Sequence, residues 1–470
     1  MKKEFMKKIT GLIAAALFFA ALAFTGCGNG DSANTIGTSN EEFFLGAYST
    51  PPNGEIGDAP WGLQPSSNTE ESWRILKEAG YNYAIPIWHD FTHANIITTL
   101  TNAQKVGVKV IIEDRVPVGI PEIMRASSGV SYEETAEKIS KAEDAIKSRY
   151  DGYTEFESFA GIVVIDEPSA LYFDAIAAGQ DWWLRNYPEY IYYVTLFPSY
   201  SSQGQLFGSG STGIFREYVE TFINKTNPAF ISYDNYPLIR SGMQGTVHPS
   251  WLSDLEVFAE AGRENKIPFH MYFLTTQFVD RMAPQFYKEI AWQCYSAMAY
   301  GVRGLKTFTY WGYFVPDGNN QNLGTGLVDA YGNRMPVYYA VQEVFKEIRS
   351  FEKLYMNFTW DGTMTIGTSG IGSTFSGLKN RLKTLDGVSS AAATEDALIG
   401  QFKDKDGNRA YMVTNYATPY IGTPNTVTIK FNNAKKVLIC KKGRQIVQTV
   451  KNNTIELEMG GGEGFFVIPL

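Results

Sequence analysis

Short, continuously apolar segments alternate with amphipathic segments along most of the chain, beginning near residue 43. Several amphipathic segments end in glycine, as at Gly80, Gly107 and Gly301, and an apolar run follows each of them. Glycine readily adopts the left-handed conformation that closes a helix. Unbroken apolar runs are typical of strands that are buried on both faces of a parallel sheet. The pattern therefore predicts a series of helix–strand units.

Eight apolar runs of this kind predict an α/β fold, a (β/α)8 TIM barrel over residues 43–355. Two of the intervening helical segments begin with capping patterns, Asn68-x-x-Glu71 and Ser131-x-x-Glu134. A doubly wound sheet with fewer strands is the alternative, but no glycine-rich phosphate loop follows the first run. The predicted strands cover residues 43–50, 83–90, 109–115, 161–167, 190–197, 229–235, 268–275 and 304–311.

The pattern changes after the predicted helix that ends near residue 355. Short segments of alternating polar and apolar residues follow, separated by turn signals, and Asp406-Gly407 marks a hairpin turn. These features predict a small antiparallel β-sandwich over residues 356–470.

The N-terminal residues have the layout of a secretory signal, with a lysine-rich head and an apolar run from Ile9 to Phe24. The segment that ends at Cys27 resembles a bacterial lipobox, although Phe24 stands where leucine is usual. We expect a signal peptide over residues 1–26, lipidation of Cys27, and a flexible tether over residues 27–42. The protein would then lie in the cell envelope and contact the membrane only through its lipid anchor. A plain cleaved signal with an incidental cysteine is the alternative.

Composition narrows the possible partners. The net charge of −8 and the lack of a basic stripe argue against nucleic acid. The 28 Tyr, 30 Phe and 9 Trp suit either sugar-binding clefts or a large aromatic core. Cys294 and Cys440 are far apart and lack metal-ligand spacing, so we expect buried free thiols. We expect no metal and no cofactor.

The segment IVVIDEPSA, residues 162–170, contains the strongest candidate for chemistry. Its apolar strand ends at Asp166 and Glu167, and barrel active sites lie at the C-terminal ends of strands. Alternation along a strand predicts that only one of these acids faces the barrel axis. A strand that stops on two solvated carboxylates is the alternative. Carboxylates and flat rings at strand ends are the groups that glycoside hydrolysis needs.

Three segments carry a resemblance to a known family: IVVIDEPSA, ISYDNYPL (231–238) and AMAYGVRGLKTFTYWGY (297–313). They resemble bacterial glycoside-hydrolase-like (β/α)8 lipoproteins, relatives of the β-galactosidase type of barrel with a C-terminal β-sandwich. The resemblance covers about residues 43–470 and implies that Glu167 is the general acid/base. The usual nucleophile of that superfamily is a glutamate at the end of strand seven. Here that strand end offers Gln277 and no carboxylate.

Asp234, at the end of predicted strand six, is the best-placed candidate for the second catalytic carboxylate. Strands four and six lie on the same side of a barrel mouth, so their terminal side chains can converge. A carboxyl separation of about 5–5.5 Å would predict retention of configuration, and about 6.5–9.5 Å inversion. The alternative is that Asp234 caps the following loop through an Asx-type turn.

Other residues at strand ends are candidates for sugar contacts. Glu113, Asp114 and Arg115 could instead form a structural salt bridge, and the aromatic residues could instead be packing at the barrel top. We expect His270 to be a core histidine whose hydrogen bonds are satisfied, and Glu289 and Asp329 to be solvated or capping residues. The predicted substrate-binding residues are Asp166, Trp88, His89, Glu113, Arg115, Tyr236, Gln277, Tyr310 and Trp311.

Together these features predict a surface-anchored glycoside hydrolase that acts on an oligo- or polysaccharide. A non-catalytic carbohydrate-binding lipoprotein that uses the same cleft is the alternative, and the missing strand-seven glutamate favours it. A structural envelope protein whose barrel is only a scaffold is a third possibility. The sugar, the linkage and the stereochemistry stay open.

Overall fold

The structure of this protein is a computed structural model. It describes residues 39–53, 66–86, 92–114, 119–241, 244–277, 280–312, 325–367, 375 and 377–470. Predictions for the signal peptide, Cys27, most of the tether, Trp88, His89 and Arg115 lie outside these residues. Among the helices in the described ranges, none combines the length and apolar character needed to cross a bilayer.

Eight parallel strands in the described part of the chain form one sheet, which confirms the predicted TIM barrel. They are β1 (Phe44–Tyr48), β2 (Tyr83–Ile85), β3 (Lys109–Ile112), β4 (Phe159–Asp166), β5 (Ile191–Thr195), β6 (Ile231–Asp234), β9 (Phe269–Leu274) and β10 (Gly304–Phe308). Their order is β5-β4-β3-β2-β1-β10-β9-β6. A bridge between Leu196 and Tyr233 joins the two ends of the sheet. Each strand overlaps one predicted run.

Helices surround the barrel, and a hairpin of β7 (Leu238–Ser241) and β8 (Gln244–Val247) follows β6. A short 3-10 helix covers Ala170–Tyr172. The α-helices are α1 (Glu70–Glu78), α2 (His93–Val106), α3 (Ile120–Arg125), α4 (Tyr132–Thr154), α5 (Phe173–Asn186), α6 (Gln203–Phe207), α7 (Phe215–Thr226), α8 (Ser250–Asn265), α9 (Tyr287–Ala299) and α10 (Pro336–Tyr355).

One of the two predicted helix caps is confirmed and the other is wrong. The Ser131 hydroxyl accepts a hydrogen bond from the Glu134 amide at 3.2 Å and caps α4. Helix α1 is capped by Thr69, not by Asn68. The Asn68 side chain is buried and accepts a hydrogen bond from Trp73 Nε1 at 2.6 Å, so tertiary packing uses the group that the local pattern assigned to the cap.

Antiparallel sheets follow the barrel, as predicted for a β-sandwich. Within the described residues, one sheet has the order β11-β13-β14-β19-β16-β17 and the other β12-β15-β18, and an apolar cluster lies between them. Gly407 has φ +81° in the predicted hairpin turn. The strands are β11 (Thr359–Ile366), β12 (Val388–Ala393), β13 (Ala397–Lys403), β14 (Arg409–Asn415), β15 (Asn425–Phe431), β16 (Lys436–Lys441), β17 (Arg444–Thr449), β18 (Thr454–Met459) and β19 (Gly464–Pro469).

The larger antiparallel sheet packs against barrel helices α9 and α10. The Phe466 ring of β19 lies 5.9 Å from the Phe351 ring and 5.5 Å from the Tyr355 ring, both on α10. These residues belong to the same apolar cluster as the outer faces of the barrel strands. The predicted free thiols Cys294 and Cys440 are both buried and unbonded, which confirms that expectation.

Candidate active site

The ends of β4 and β6 bring three acidic side chains together at the mouth of the barrel. The Glu167 and Asp234 side chains lie close enough for the charge of Asp234 to raise the pKa of Glu167, and Asp166 lies close enough to both to raise their pKa values. The Tyr48 hydroxyl is 3.5 Å from Asp166 Oδ2. Asp234 is only 7% exposed, Glu167 is partly buried, and Asp166 is exposed. The structure therefore places the two predicted catalytic residues near each other at the barrel mouth.

Both members of the Asp166–Glu167 pair face this mouth, so the expectation that alternation would turn one of them away is wrong. In the β4–β5 register Val163 pairs with Tyr193 and Ile165 with Val194, so Val164 is an extra, bulged residue. A bulge shifts the in–out alternation of the residues that follow it. Glu167 then has φ +48°, a left-handed backbone that redirects its side chain. Together these two features place neighbouring acids on one side.

Burial and mutual repulsion set the charge of the acids. Burial, followed by the negative charges of Asp234 and Asp166, raises the pKa of Glu167 far above that of an ordinary glutamate. Burial and Asp166 also raise the pKa of Asp234. The interaction between the two carboxyls raises the pKa of Glu167 and lowers that of Asp234, so Glu167 is the member of the pair that keeps a proton. A hydrogen bond from Tyr236 further favours the charged form of Asp234.

A buried lysine, which the sequence interpretation missed, lies below the acids inside the barrel. Lys306 of β10 is fully buried, and its Nζ donates a hydrogen bond to Ser232 Oγ at 2.6 Å. The ring centroid of Tyr272 is 4.6 Å from Nζ. Burial lowers the pKa of Lys306, whereas the negative charges of Asp234 and Asp166 raise it. The available signal was a single charged residue within the apolar strand GLKTF.

Hydroxyl groups complete the polar layer around this lysine. The Tyr193 hydroxyl lies 2.9 Å from that of Tyr272 and 3.1 Å from Ser232 Oγ. Gly46 of β1 makes room for the lysine stem, because a Cβ at this position would lie 2.7 Å from Lys306 Cγ. The acids at the mouth therefore rest on a polar layer, although barrel interiors of this type are usually filled by branched apolar residues.

An aromatic and basic wall flanks the acids on the side of the β7–β8 hairpin. The Tyr200 side chain is 37% exposed, and the guanidinium of Arg281 lies 5.2 Å from its ring centroid. The ring of His248 lies 4.8 Å from that of Tyr200. Burial raises the pKa of Tyr200, and the negative charge of Asp234 raises it further. The sequence interpretation did not find this wall, because its residues come from loops and a hairpin outside the repeating pattern.

Two acids after β3 form ion pairs with neighbouring helices. Glu113 Oε1 lies 2.6 Å from Arg125 Nη2 on α3. Asp114 is fully buried, and its Oδ1 accepts a hydrogen bond from Arg149 Nη2 on α4 at 2.9 Å. These contacts correspond to the structural alternative for this segment. A sugar contact for Glu113 stays a prediction.

The remaining described candidates differ in their surroundings. Gln277 follows β9 and accepts a hydrogen bond from Arg240 Nη2 at 3.3 Å. Tyr236 is buried, with its ring 5.0 Å from that of Phe308. Tyr310 and Trp311 are both buried within the main apolar cluster. Their placement corresponds to the packing alternative, and their contact with a sugar stays a prediction.

Two structural interpretations are confirmed and a third is only partly right. His270 is buried in the barrel, but its Nδ1 has no hydrogen-bond partner among the described residues, so it is not the satisfied core histidine that was expected. Glu289 Oε2 accepts hydrogen bonds from the amides of Gln285 and Phe286 and so caps the start of α9. Asp329 Oδ1 accepts hydrogen bonds from two amides of its own turn. Within the described ranges, no three His, Cys, Asp or Glu side chains converge as metal ligands would.

Comparison with known proteins yields likenesses of fold. No protein-family model matches the chain, and neither does any curated protein sequence. Solved structures do match, and they include glycoside hydrolases of several families. In the described residues, the fold consists of an eight-stranded parallel barrel followed by antiparallel sheets.

Three of these structures illustrate the degree of similarity. A family 39 glycoside hydrolase from Bacteroides cellulosilyticus WH2 has 13% identity and a TM-score of 0.46, over 91% of this chain and 81% of that one. A putative α-L-fucosidase from Bacteroides thetaiotaomicron has 12% identity and a TM-score of 0.42, over 68% and 98%. A β-glucosidase from Thermotoga maritima has 9% identity and a TM-score of 0.43, over 66% and 99%. These values carry no argument about substrate or activity.

Proposed function

We propose that this protein hydrolyses glycosidic bonds in an oligo- or polysaccharide, with Glu167 as the general acid. The observation that carries the proposal is the place of Glu167 at the barrel mouth, partly buried beside Asp234 and Asp166, where burial and these neighbouring charges raise the pKa of its carboxyl. A general acid must hold its proton at the working pH until the leaving oxygen takes it. Glu167 meets this requirement at neutral pH.

The burial of Asp234 bears on its role as the partner of Glu167. Catalytic carboxyls flank the glycosidic bond and face the sugar from both sides. Asp234 is only 7% exposed beside Glu167, so it is poorly placed to face a sugar. We therefore assign Asp234 to holding the proton on Glu167. The exposed Asp166 carboxylate is the group left to face the sugar or a water molecule.

These assignments give a balanced reaction. The Glu167 hydroxyl transfers its proton to the glycosidic oxygen as the bond between this oxygen and the anomeric carbon breaks. Asp166 stabilises the positive charge that develops on the sugar, and a water molecule supplies the new hydroxyl and returns a proton to the site. The partly exposed ring of Tyr200 offers a flat face on which a sugar can stack.

Glu167→Gln tests the proposal on the folded protein. The amide keeps the size of the side chain but has no proton to transfer, so release of reducing sugar should fall by about 10²- to 10⁴-fold. Glu137→Gln, on the exposed face of α4, is the matched control and should leave turnover unchanged. Thermal midpoints of both variants should stay close to that of the parent. Full activity of Glu167→Gln would rule out the proposed role.

A second candidate function is glycan binding without hydrolysis. Two observations favour it: the burial of Asp234, which keeps this carboxyl away from a sugar, and Gln277 in place of an acid after β9. The two functions differ in one measurement, product release from a glycan that binds. Binding with no product across a broad panel of oligosaccharides would favour the binding protein.

We also propose that the mature chain is lipid-anchored in the cell envelope through Cys27. The lysine-rich head, apolar run and lipobox-like segment before Gly28 support this. Mass spectrometry of the mature N-terminal peptide tests it, and an unmodified residue other than Cys27 at the mature N-terminus would contradict it.

A further inference from the structure

A cavity opens at the opposite end of the barrel from the acids. Its volume is about 1140 Å³, and part of its lining lies at or before the starts of β1, β2, β5, β6, β9 and β10, while helices α5 and α8 and the start of β11 supply other lining residues. The N-terminal face of such a barrel normally serves stability, while chemistry occupies the other face. Ligand pockets span about 300–1,000 Å³, so the volume of this cavity is large enough for a ligand.

Aromatic rings form the inner wall of this cavity. The Phe44 and Tyr83 rings stack with centroids 4.0 Å apart and planes 13° apart. The His270 ring lies 4.5 Å from Phe230 and 5.0 Å from Phe44. Tyr83 and Phe230 are only partly buried, so part of each ring borders the cavity. Flat rings with open faces are the surfaces on which the apolar faces of sugar rings stack.

His270 gives the inner wall an unpaired polar group. Its side chain lines the cavity and is 8% exposed, and its buried Nδ1 has no hydrogen-bond partner among the described residues. Gly304 leaves the space that the ring occupies, since a Cβ there would lie 2.6 Å from His270 Cγ. Burial and the charge of Lys306 lower the pKa of His270, so the imidazole is neutral and adds no charge to the cavity.

Charged groups of both signs line the rim. The guanidinium of Arg263 lies 5.3 Å from the ring centroid of Trp360, which the first strand of the C-terminal sheets contributes. Carboxylates accept hydrogen bonds and guanidinium groups donate them, so together they match the hydroxyl groups of sugars. The balance of signs disfavours a strongly charged ligand. The charged lining residues are Glu41, Glu42, Glu189, Arg263, Lys266 and Arg303.

We propose that this cavity is a binding site for a neutral oligosaccharide, separate from the barrel mouth. Open ring faces, a neutral imidazole and a rim with three acids and three bases all favour an uncharged ligand with many hydroxyl groups. The site shares no lining residue with the acid cluster of the mouth, so its occupancy does not depend on the proposed hydrolysis.

The test is calorimetric titration of the Glu167→Gln protein with cellohexaose, xylohexaose, mannohexaose and chitohexaose. Ala229 is an exposed lining residue, and Ala229→Trp fills part of the cavity. For at least one hexasaccharide, we expect the dissociation constant of one binding event to rise tenfold or more in this variant. Ala392→Trp, at an exposed position of β12 outside the cavity, is the matched control and should bind like the parent.

Several outcomes overturn the proposal. The proposal fails if Ala229→Trp leaves the affinity for every hexasaccharide unchanged. It also fails if the protein binds no hexasaccharide of the panel. Stronger binding of hexagalacturonate at this cavity would refute the neutral-ligand assignment. Glu189→Ala, at the exposed rim, serves as a second variant if Ala229→Trp lowers the thermal midpoint, and it should weaken the same event severalfold. Loss of turnover in Glu167→Gln reports on the mouth alone, so the two proposals fail independently.

Discussion

Glu167 shows how much of a residue's chemistry comes from its neighbours. An exposed glutamate is ionised at neutral pH, with a pKa of about 4.3. Here burial disfavours the charged form, and two nearby acids add repulsion. The pKa of Glu167 is therefore raised, and the carboxyl keeps its proton at neutral pH. The same residue type in an open strand end would be an unremarkable surface charge.

Asp234→Asn should lower the pKa of Glu167, because the variant replaces the negatively charged carboxylate beside Glu167 with a neutral amide. Burial and Asp166 remain, so the pKa should stay above that of a free glutamate. The acid form of Glu167 would then be lost at a lower pH than in the parent. Carboxyl ¹³C NMR over a pH series measures this directly and does not depend on activity.

Asp254→Asn is the matched control for that titration. Asp254 of α8 is buried like Asp234, and burial raises its pKa to about 7, but it bonds to Ser199 and Asn235 instead of Glu167. We expect the Glu167 titration to be the same as in the parent. An unchanged Glu167 pKa in Asp234→Asn would show that Asp234 does not hold its proton.

Strand β4 determines which side chains reach the mouth. Besides the bulge at Val164, it contains Gly161 with φ +145°, a conformation that side chains other than glycine rarely adopt. A Cβ at Gly161 would overlap the backbone of Ile191 on β5. The close approach of β4 and β5 therefore requires glycine at this position, and it sets the register that brings Asp166 and Glu167 to the site.

Gly161→Ala should destabilise the barrel by about 3 kcal/mol or more, because it combines backbone strain with overlap against a neighbouring strand. Gly152→Ala is the matched control. Gly152 lies in helix α4, and a Cβ there meets no atom within 4 Å, so the change should stabilise by about 0.5–1 kcal/mol. Urea midpoints of the two variants measure these opposite effects. A Gly161→Ala variant as stable as the parent would contradict the register argument.

At the scale of the whole molecule, the barrel and the C-terminal sheets share one apolar cluster. The Phe466 ring of β19 touches rings on α10, and it is also 5.8 Å from Phe402 of β13. The hydroxyl of Thr363 on β11 donates a hydrogen bond to the carbonyl of Ala299 on α9 at 2.8 Å. Contacts of this kind couple the two parts, so we expect them to unfold together.

Phe466→Ala should lower the stability of both parts by about 3–5 kcal/mol, the usual cost of deleting a buried phenyl group. Two buried thiols report on each part separately: Cys294 lies on barrel helix α9 and Cys440 on β16. Thiol labelling in urea, read by mass spectrometry in a Cys27→Ala background, should give the same urea midpoint at both thiols. In Phe466→Ala this midpoint should be lower than in the parent. A shift of Cys440 alone would show that the sheets unfold independently.

Local pattern accounts for the parts of the fold that were predicted. Apolar runs locate all eight barrel strands, because burial on both faces leaves a continuous signature in the sequence. The helix cap predicted at Asn68 was wrong because a tertiary contact, and not the local pattern, uses this side chain. It accepts a buried hydrogen bond from Trp73, which no local pattern encodes. Lys306 was missed for a similar reason: its role depends on Ser232 and Tyr272, which are far away in the chain.

The sequence by itself determined the order of strands and helices, the antiparallel strands after the barrel, and the two acids at the end of β4. These features follow from short-range periodicity and from the types of residues at strand ends. Only the tertiary structure decided that both acids face the mouth, that Asp234 meets Glu167, and that a cavity lies at the other end of the barrel. Backbone irregularities and contacts between distant segments produce these features. Their energies depend on three-dimensional distance and burial, which a linear pattern does not contain.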